Sequence, residues 1–374
     1  MDANGFHNPR DRVGRLWWRE SGALFQARLP SALPGAMLGG DMVREHDPKP
    51  ERWALARGAA LAVGLLGSAC AAAPHAPLPA HGESIVICGR LVPIGAPVVT
   101  WNDPGGYDAT ATAFDPAQPP DHADRSSGRR YLPGRRRGDR VVVAPGSFDR
   151  EALARAVDQF VVHYDVCGTS RTCFDVLHRR RGLSVHFLLD LDGTIYQTLD
   201  VRDTAWHAAV ANSRSIGVEI AQWGARVPAR AHELDEWYAS RAGGTRVTIP
   251  ERFGDGGVRT RDFEGWTARP DLLRGAIHGA DLVQFDFTVE QYDSLIRLLA
   301  ALCAELPGIL ADAPRDPSGR VRDDALTVDE LAAFRGILGH YHVTTAKTDP
   351  GPAFDWERVL SGVHARMAST GADP

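Results

Sequence analysis

The chain of 374 residues carries 42 Lys and Arg against 47 Asp and Glu, a net charge of −5, and is 44% hydrophobic. That length allows about two domains, or one with extensions. The mildly acidic balance excludes a strongly basic nucleic-acid-binding domain, so no nucleic-acid partner is expected.

Near the N-terminus, Arg52 and Arg57 precede the apolar run Ala59-Ala60-Leu61-Ala62-Val63-Gly64-Leu65-Leu66, followed by Gly67-Ser68-Ala69-Cys70. A basic flank, a short hydrophobic segment and small residues follow the pattern of an export signal, and the run is too short to span a membrane. The signal lies far from Met1, which points to translation from Met42. Cys70 after small residues resembles a bacterial lipoprotein processing site, although Leu66 sits one place further back than usual. The expectation is export to the periplasm or cell envelope with a membrane tether through a lipidated Cys70; the alternative is an Ala-rich flexible tail. Cys88, Cys167, Cys173 and Cys303 complete the cysteines. Cys167 and Cys173 bound a short loop that a disulfide could close after export, whereas Cys303 on an apolar helix reads as a buried thiol.

Residues 71–146 are uneven. Ser84-Ile85-Val86-Ile87-Cys88 and Ala96-Pro97-Val98-Val99-Thr100-Trp101 suggest a small β-appendage, and 102–140 is rich in Pro, Gly, Asp and Arg and reads as linker. Its Arg135-Arg136-Arg137 cluster is expected to be solvated, the alternative being contact with an anionic polymer. The ordered core starts near Ser147, which can cap a helix with Leu153, Val157 and Phe160 among its apolar positions. Phe160-Val161-Val162-His163 then reads as a short strand of the kind buried in a central sheet. Taken alone, its histidine is more often structural than a ligand.

Two strand-like runs, Leu183 to Leu189 and Thr194 to Leu199, flank Asp192-Gly193, a strong hairpin signal. His186, opposite Phe187 by strand alternation, is either a cleft residue or a hydrogen-bonded core histidine. Thr204-Ala205-Trp206-His207-Ala208-Ala209 and Asn212 form a polar-aromatic loop leading into Ser215-Ile216-Gly217-Val218-Glu219-Ile220. There Ile216, Val218 and Ile220 share one face, and Gly217 and Glu219 the other. Glu219 faces solvent or, if its face lines a cleft, is desolvated and suited to general-base work.

Residues 222 to about 285 are charged and Gly-rich and read as an insertion. Thr288-Val289-Glu290-Gln291 is a capping box opening a core helix with Leu295, Leu299 and Leu302 on one side. Thr327-Val328-Asp329-Glu330 caps a shorter helix, and 354–364 reads as a closing amphipathic helix. Between them lies Gly339-His340-Tyr341-His342, followed by Lys347-Thr348-Asp349-Pro350-Gly351. Pro350 and Gly351 fix a turn behind Asp349. A histidine and an aspartate in this segment are good metal ligands, and Lys347 could face the same site, but a catalytic zinc site needs a third protein ligand.

Set side by side, Phe160-Val-Val-His163, Leu183-Ser-Val-His186, Thr204-Ala-Trp-His207, Ser215-Ile-Gly-Val-Glu219 and Gly339-His340 with Lys347-Thr-Asp349-Pro-Gly351 resemble the zinc-dependent N-acetylmuramoyl-L-alanine amidases of the type-2 amidase family. Peptidoglycan recognition proteins and phage lysozyme-type amidases share that fold. The resemblance implies an α/β fold, a mixed central β-sheet flanked by helices, with one zinc in an open cleft. It implies His163, His340 and Asp349 as zinc ligands, Glu219 as the base and Lys347 as the oxyanion-stabilising cation. Trp206 and His207 would shape the substrate groove, with His186, Asn212, Tyr164 and Asp165 also lining it. Cys167 and Cys173 match a disulfide loop common in the recognition proteins.

Two departures stand out. The His340–Asp349 spacing is one residue shorter than in bacterial members, making His342 a rival ligand, and Val185 replaces a tyrosine found in some relatives, which shifts the catalytic burden onto Glu219. The implied organisation is an extension with its signal over 1–70, appendage and linker over 71–146, an amidase domain over 147–366 and a flexible tail over 367–374. The implied substrate is peptidoglycan or a muropeptide, cut between N-acetylmuramic acid and L-alanine by a monomer. The alternatives are a non-catalytic peptidoglycan-binding module and a zinc hydrolase of another amide.

Overall fold

Six consecutive buried residues, Gln159–Tyr164, form the strand around which the fold is laid out. The computed structural model describes residues 82–111 and 130–370, all within one unit, Pro74–Pro374. A seven-stranded sheet runs in the order Gly82–Ile87, Arg90–Thr100, Ile195–Gln197, Phe187–Leu189, Ser215–Ile220, Gln159–Tyr164 and Gly336–Gly339. The last four are mutually parallel. Phe187–Leu189 and Ile195–Gln197 are the expected antiparallel hairpin, with Gly193 in its turn at φ +79. The fold is the expected mixed α/β sheet flanked by helices.

Alternation along the strands gives the two faces different tasks. Phe160, Val162 and Tyr164, with Ile216, Val218 and Ile220, belong to the main core. The helix Val289–Glu305 supplies Leu295, Leu298, Leu299 and Leu302 to that core, and Trp356–Thr370 supplies Val359, Leu360 and Val363. Each such side chain fully withdrawn from water is worth about 1.5–3 kcal/mol, so this face carries most of the stability. Val289–Glu305 opens with the expected capping box: Thr288 Oγ1 accepts from Gln291 N at 3.1 Å and Gln291 Oε1 from Thr288 N at 3.0 Å. Thr327 and Glu330 cap Val328–Ala333 in the same way.

The opposite face is covered in two separate patches. One gathers Val99, Cys167, Cys173, Val185, Leu188 and Tyr196. The other gathers Val161, Ala208, Ala211, Leu331, Leu338 and Val343. Glu219 and His163 belong to neither patch, and they face each other on adjacent strands.

Several expectations are corrected. The β-appendage is no separate body, since Arg90–Thr100 pairs in parallel with Ile195–Gln197 and Gly82–Ile87 extends the same sheet. Arg135 is fully buried rather than solvated, donating to Val201 O at 2.8 Å and Ser215 O at 3.0 Å; carbonyls from a distant loop and a distant strand satisfy it. The first core helix, Arg150–Ala156, is capped by Asp149 rather than Ser147. The 222–285 segment is built of its own small strands, Tyr238–Arg241, Gly244–Val247 and Gly265–Trp266, and the hairpin Leu273–Ile277/Ala280–Gln284. The closing helix runs on to Thr370, past the expected domain end at 366. The signal segment, Met42 and Cys70 lie outside the described residues. Among the described residues no helix is long and apolar enough to cross a membrane.

Candidate active site

Glu219 pairs with His163 in the parallel register of Ser215–Ile220 and Gln159–Tyr164, so their side chains leave the sheet on the same face. Gly336–Gly339 lies on the other side of Gln159–Tyr164 and ends where the short helix His340–Val343 begins, which brings His340 beside His163. The following loop folds back, Tyr341 N donating to Asp349 O at 3.1 Å, and presents the Asp349 carboxylate to both imidazoles.

Three ligand atoms form a small triangle. His163 Nδ1 is 2.8 Å from Asp349 Oδ2 and 2.9 Å from His340 Nδ1, which is itself 3.0 Å from Asp349 Oδ2. All three residues are at most 7% exposed. A single proton can link two such atoms but not three, and the remaining lone pairs would repel, so this donor set calls for a cation at its centre. Two imidazole nitrogens and one carboxylate oxygen are ordinary zinc ligands and leave a fourth position open. Burial, helped by the charge of His340, takes the His163 pKa down to about 4, which leaves its nitrogen lone pair free at neutral pH. Burial alone would raise the Asp349 pKa, but the charge of His340 and its close contact with the carboxylate hold it well below the usual range.

With Nδ1 directed at the triangle, neutral His163 carries its proton on Nε2 and donates it to His207 Nδ1 at 3.0 Å. His207 Nε2 in turn lies 3.3 Å from Ser215 Oγ. The loop that offers His207 is pinned by Asn212 Oδ1, which accepts from His207 N at 3.1 Å and Ala208 N at 2.7 Å. Gly217 makes room for the ring: a Cβ there would sit 2.5 Å from its Nδ1 and Cε1.

Glu219 is half-buried. Burial first, then the charges of Asp349 and Asp165, push its pKa well above the usual carboxylate range, while Lys347 and Arg181 pull the other way. Lys347 also depresses the His163 pKa, so its charge reaches both sides of the site.

The structure brings His163, His340 and Asp349 together, with Glu219 opposite His163 on the adjacent strand and the charge of Lys347 felt at both, and places other candidates elsewhere. His186 is fully buried: Nδ1 accepts from Gly217 N at 3.2 Å, and Nε2 therefore donates to Asp203 O at 3.1 Å. It is a core histidine and offers no atom to a groove. His342 is equally enclosed, accepting from Gly339 N and donating to Arg322 O, both at 2.9 Å, which removes it as a rival ligand. Tyr164 is buried and bonded to Thr348 Oγ1 at 2.7 Å, bracing the Asp349 loop rather than lining a groove. Asn212 acts on its own loop, and Asp165 Oδ1 is taken by the backbone N–H groups of Cys167, Gly168 and Gln222. Trp206 stays half-buried beside His207. Cys167 and Cys173 are buried free thiols hydrogen-bonded to one another, so the expected disulfide is not formed. The role of His207 behind His163 escaped the sequence reading; the small Gly217 facing the same side of its strand was the available signal.

The sequence profile of the N-acetylmuramoyl-L-alanine amidases, Amidase_2, matches residues 153–352, more than half of the chain. The chain belongs to this amidase family. The match takes in all three triangle residues together with Glu219 and Lys347, and the family assignment makes the chain an amide hydrolase acting on peptidoglycan or muropeptides. Solved structures of similar amidases are distant. A selenomethionine derivative of AmpD is 18% identical, with a TM-score of 0.27 over 56% of this chain and 86% of its own. The amidase AmiD from E. coli, solved with the substrate anhydro-N-acetylmuramic acid-L-Ala-D-gamma-Glu-L-Lys, is 15% identical with a TM-score of 0.32 over 62% and 65%. The endolysin LysCS from Clostridium intestinale is 14% identical with a TM-score of 0.29 over 57% and 86%. No curated protein matches the chain.

Proposed function

We propose that this amidase is zinc-dependent, that His163, His340 and Asp349 hold the metal, and that the bond cut joins the lactyl group of N-acetylmuramic acid to L-alanine. The observation that carries the reading is the triangle of ligand atoms, with Glu219 on the neighbouring strand of the same face. Zinc held there would supply Lewis acidity toward water and the scissile carbonyl. Glu219, with its raised pKa, takes a proton from the attacking water and hands it to the leaving amine of L-alanine. The Lys347 ammonium stabilises negative charge that develops on the carbonyl oxygen. Trp206, half-buried at the edge of the site, offers an apolar surface to the glycan or peptide. His163, donating to His207, keeps its other nitrogen turned to the metal.

The reading extends to location. An exported, monomeric enzyme, tethered through a lipidated Cys70, would stand beside its polymer, and an oxidising compartment would let the neighbouring Cys167 and Cys173 close into a disulfide.

The test incubates the purified chain, with and without stoichiometric zinc, with a defined muramyl peptide and with sacculi, and identifies products by mass spectrometry. Zinc-dependent release of a peptide with a free L-alanine amine is the expected result. A zinc-loaded protein that releases nothing from either substrate would overturn the reading.

A further inference from the structure

The loop that carries Lys347 and Asp349 is held by the hairpin Leu273–Ile277/Ala280–Gln284. Gln284, fully buried at the end of this hairpin, spans the loop with one amide: Nε2 donates to Pro350 O and Oε1 accepts from Ala353 N, both at 3.1 Å. The turn at the other end is made by His278 and Gly279, with φ of +53 and +74. Two successive residues at positive φ favour Asn, Asp or Gly, whose backbones adopt that region at little cost. A histidine stands there instead, and its Nε2 donates to Lys347 O at 2.9 Å while its backbone N–H donates to Asp323 O at 2.8 Å. Arg269, bonded to Asp286 at 2.6 Å, also donates to Ala353 O. Gly275 lies so close to the loop that a Cβ would meet the Pro352 side chain at 2.8 Å.

We propose that this hairpin is a positioning brace for the reacting groups: Gln284 fixes the reach of the Asp349 carboxylate, and His278 fixes the segment from which Lys347 extends. The segment that interrupts the amidase sequence thereby becomes part of the catalytic apparatus. The contacts divide the effects. Gln284 holds the carbonyl of Pro350, the residue next to a metal ligand, so its loss loosens the metal. His278 holds the carbonyl of Lys347, so its loss lowers the rate of the chemical step and leaves the metal in place. This inference rests on the zinc-amidase reading of the site.

The test uses the full chain and four variants, Gln284→Met, Gln284→Glu, His278→Ala and His278→Asn. Zinc affinity is measured by competition with a chromophoric chelator, kcat and KM on a muramyl peptide, and metal-free folding by thermal melts. Gln284→Met is expected to weaken zinc about tenfold, the lower end of what loss of an outer-shell partner does. Gln284→Glu, which can still accept from Ala353 N but no longer donate to Pro350 O, should weaken zinc as well. His278→Ala and His278→Asn should both lower kcat by about fivefold or more with zinc affinity unchanged. Asn tolerates the turn but is too short to reach Lys347 O, so restored kcat in His278→Asn would mean that only the turn matters and would overturn the brace. Wild-type zinc affinity in a folded Gln284 variant, or wild-type kcat in His278→Ala, would also overturn it. Should the Gln284 variants show no cooperative melt, the two variants at the half-buried His278 decide the matter. A wild-type chain that takes up no zinc would instead sink the functional reading, and the brace with it.

Discussion

His163 Nε2 and His207 Nδ1 lie 3.0 Å apart, an imidazole whose other nitrogen is the proposed metal ligand donating to a second imidazole. Outer-shell acceptors in this place are more commonly carboxylates or carbonyls. A neutral acceptor holds the tautomer of His163 without adding negative charge to the site. Replacing His207 by Ala removes the acceptor and should weaken zinc binding by about 10–100-fold. His207→Gln, which can offer an amide oxygen in the same region, should recover part of that loss. Chelator competition on both variants checks this, and equal losses in the two would show that the hydrogen bond is not what matters.

Glu219→Gln keeps the shape of the side chain but removes the group that can take a proton. The expected result is a fall in kcat of about 10²–10⁴-fold with zinc affinity little changed, since general acid–base groups contribute about that much. Comparable loss of zinc in this variant would make Glu219 a ligand rather than a base.

Gly217→Ala tests the close approach of strand and ring. The new Cβ would meet the His207 imidazole at 2.5 Å, so either the ring or the strand must move. Overpacking of this kind costs about 1–3 kcal/mol. In a His207→Ala background the clash disappears, and the cost of Gly217→Ala should fall to a fraction of its former value. Denaturant melts of the two single variants and the double variant measure the coupling. Strict additivity would contradict the contact.

Asp190 and Asp165 each make a contribution to the stability of the metal-free protein that should fall as pH rises from acid to mildly alkaline. Asp190 is fully buried, with Oδ1 accepting from Leu191 N at 3.0 Å and Ser170 N at 3.3 Å and Oδ2 without a hydrogen-bond partner. Burial, helped by Asp192, pushes its pKa from 3.8 to about 8, and burial takes Asp165 to about 7. The folded chain therefore keeps protons that the unfolded chain releases. This contribution is complete below the unfolded value of 3.8 and is lost as pH climbs through the folded values of about 7 and 8. Each unit of pKa difference is worth about 1.4 kcal/mol. Asp190→Asn keeps an oxygen for the two N–H donors and does not titrate. Its melting temperature relative to wild type should rise steadily between pH 5 and pH 8, values chosen to span the window defined by the two carboxyls. A pH-independent difference would show that Asp190 does not titrate in the fold.

The residues that meet at the triangle were legible through the resemblance of five motifs taken in order, since Phe160-Val161-Val162-His163 taken alone reads as a strand with a structural histidine. The alternation of Ile216, Val218 and Ile220 against Gly217 and Glu219 places the carboxylate on the face opposite the core before any tertiary contact is known. Telling one histidine from another was harder. His186 and His207 both follow short apolar or aromatic residues, and what separates them is the Gly217 N–H that occupies one and the His163 N–H that reaches the other. Those partners come from strand packing, which periodicity does not encode. Arg135 was misread for a related reason: in a run of arginines nothing local announces that carbonyls of Val201 and Ser215 will satisfy one guanidinium. The pairing of Arg90–Thr100 with Ile195–Gln197 likewise joins segments separated by long intervening chain.

The proposed metal ligands His340 and Asp349 lie 177 and 186 positions beyond His163 along the chain. A ribosome delivers His163 well before His340 and Asp349, so the emerging polypeptide owns one of the three triangle residues over a stretch of 177 positions. The strand Gly336–Gly339 must then dock in parallel beside Gln159–Tyr164, a long-range closure of the slow kind. On the proposed ligand set, a zinc ion would find all three protein ligands only once that strand has docked. Any nascent fragment ending short of Asp349 would be unable to complete the ion's protein shell, and hydrolytic power would arise only with the closing stretch of the polypeptide.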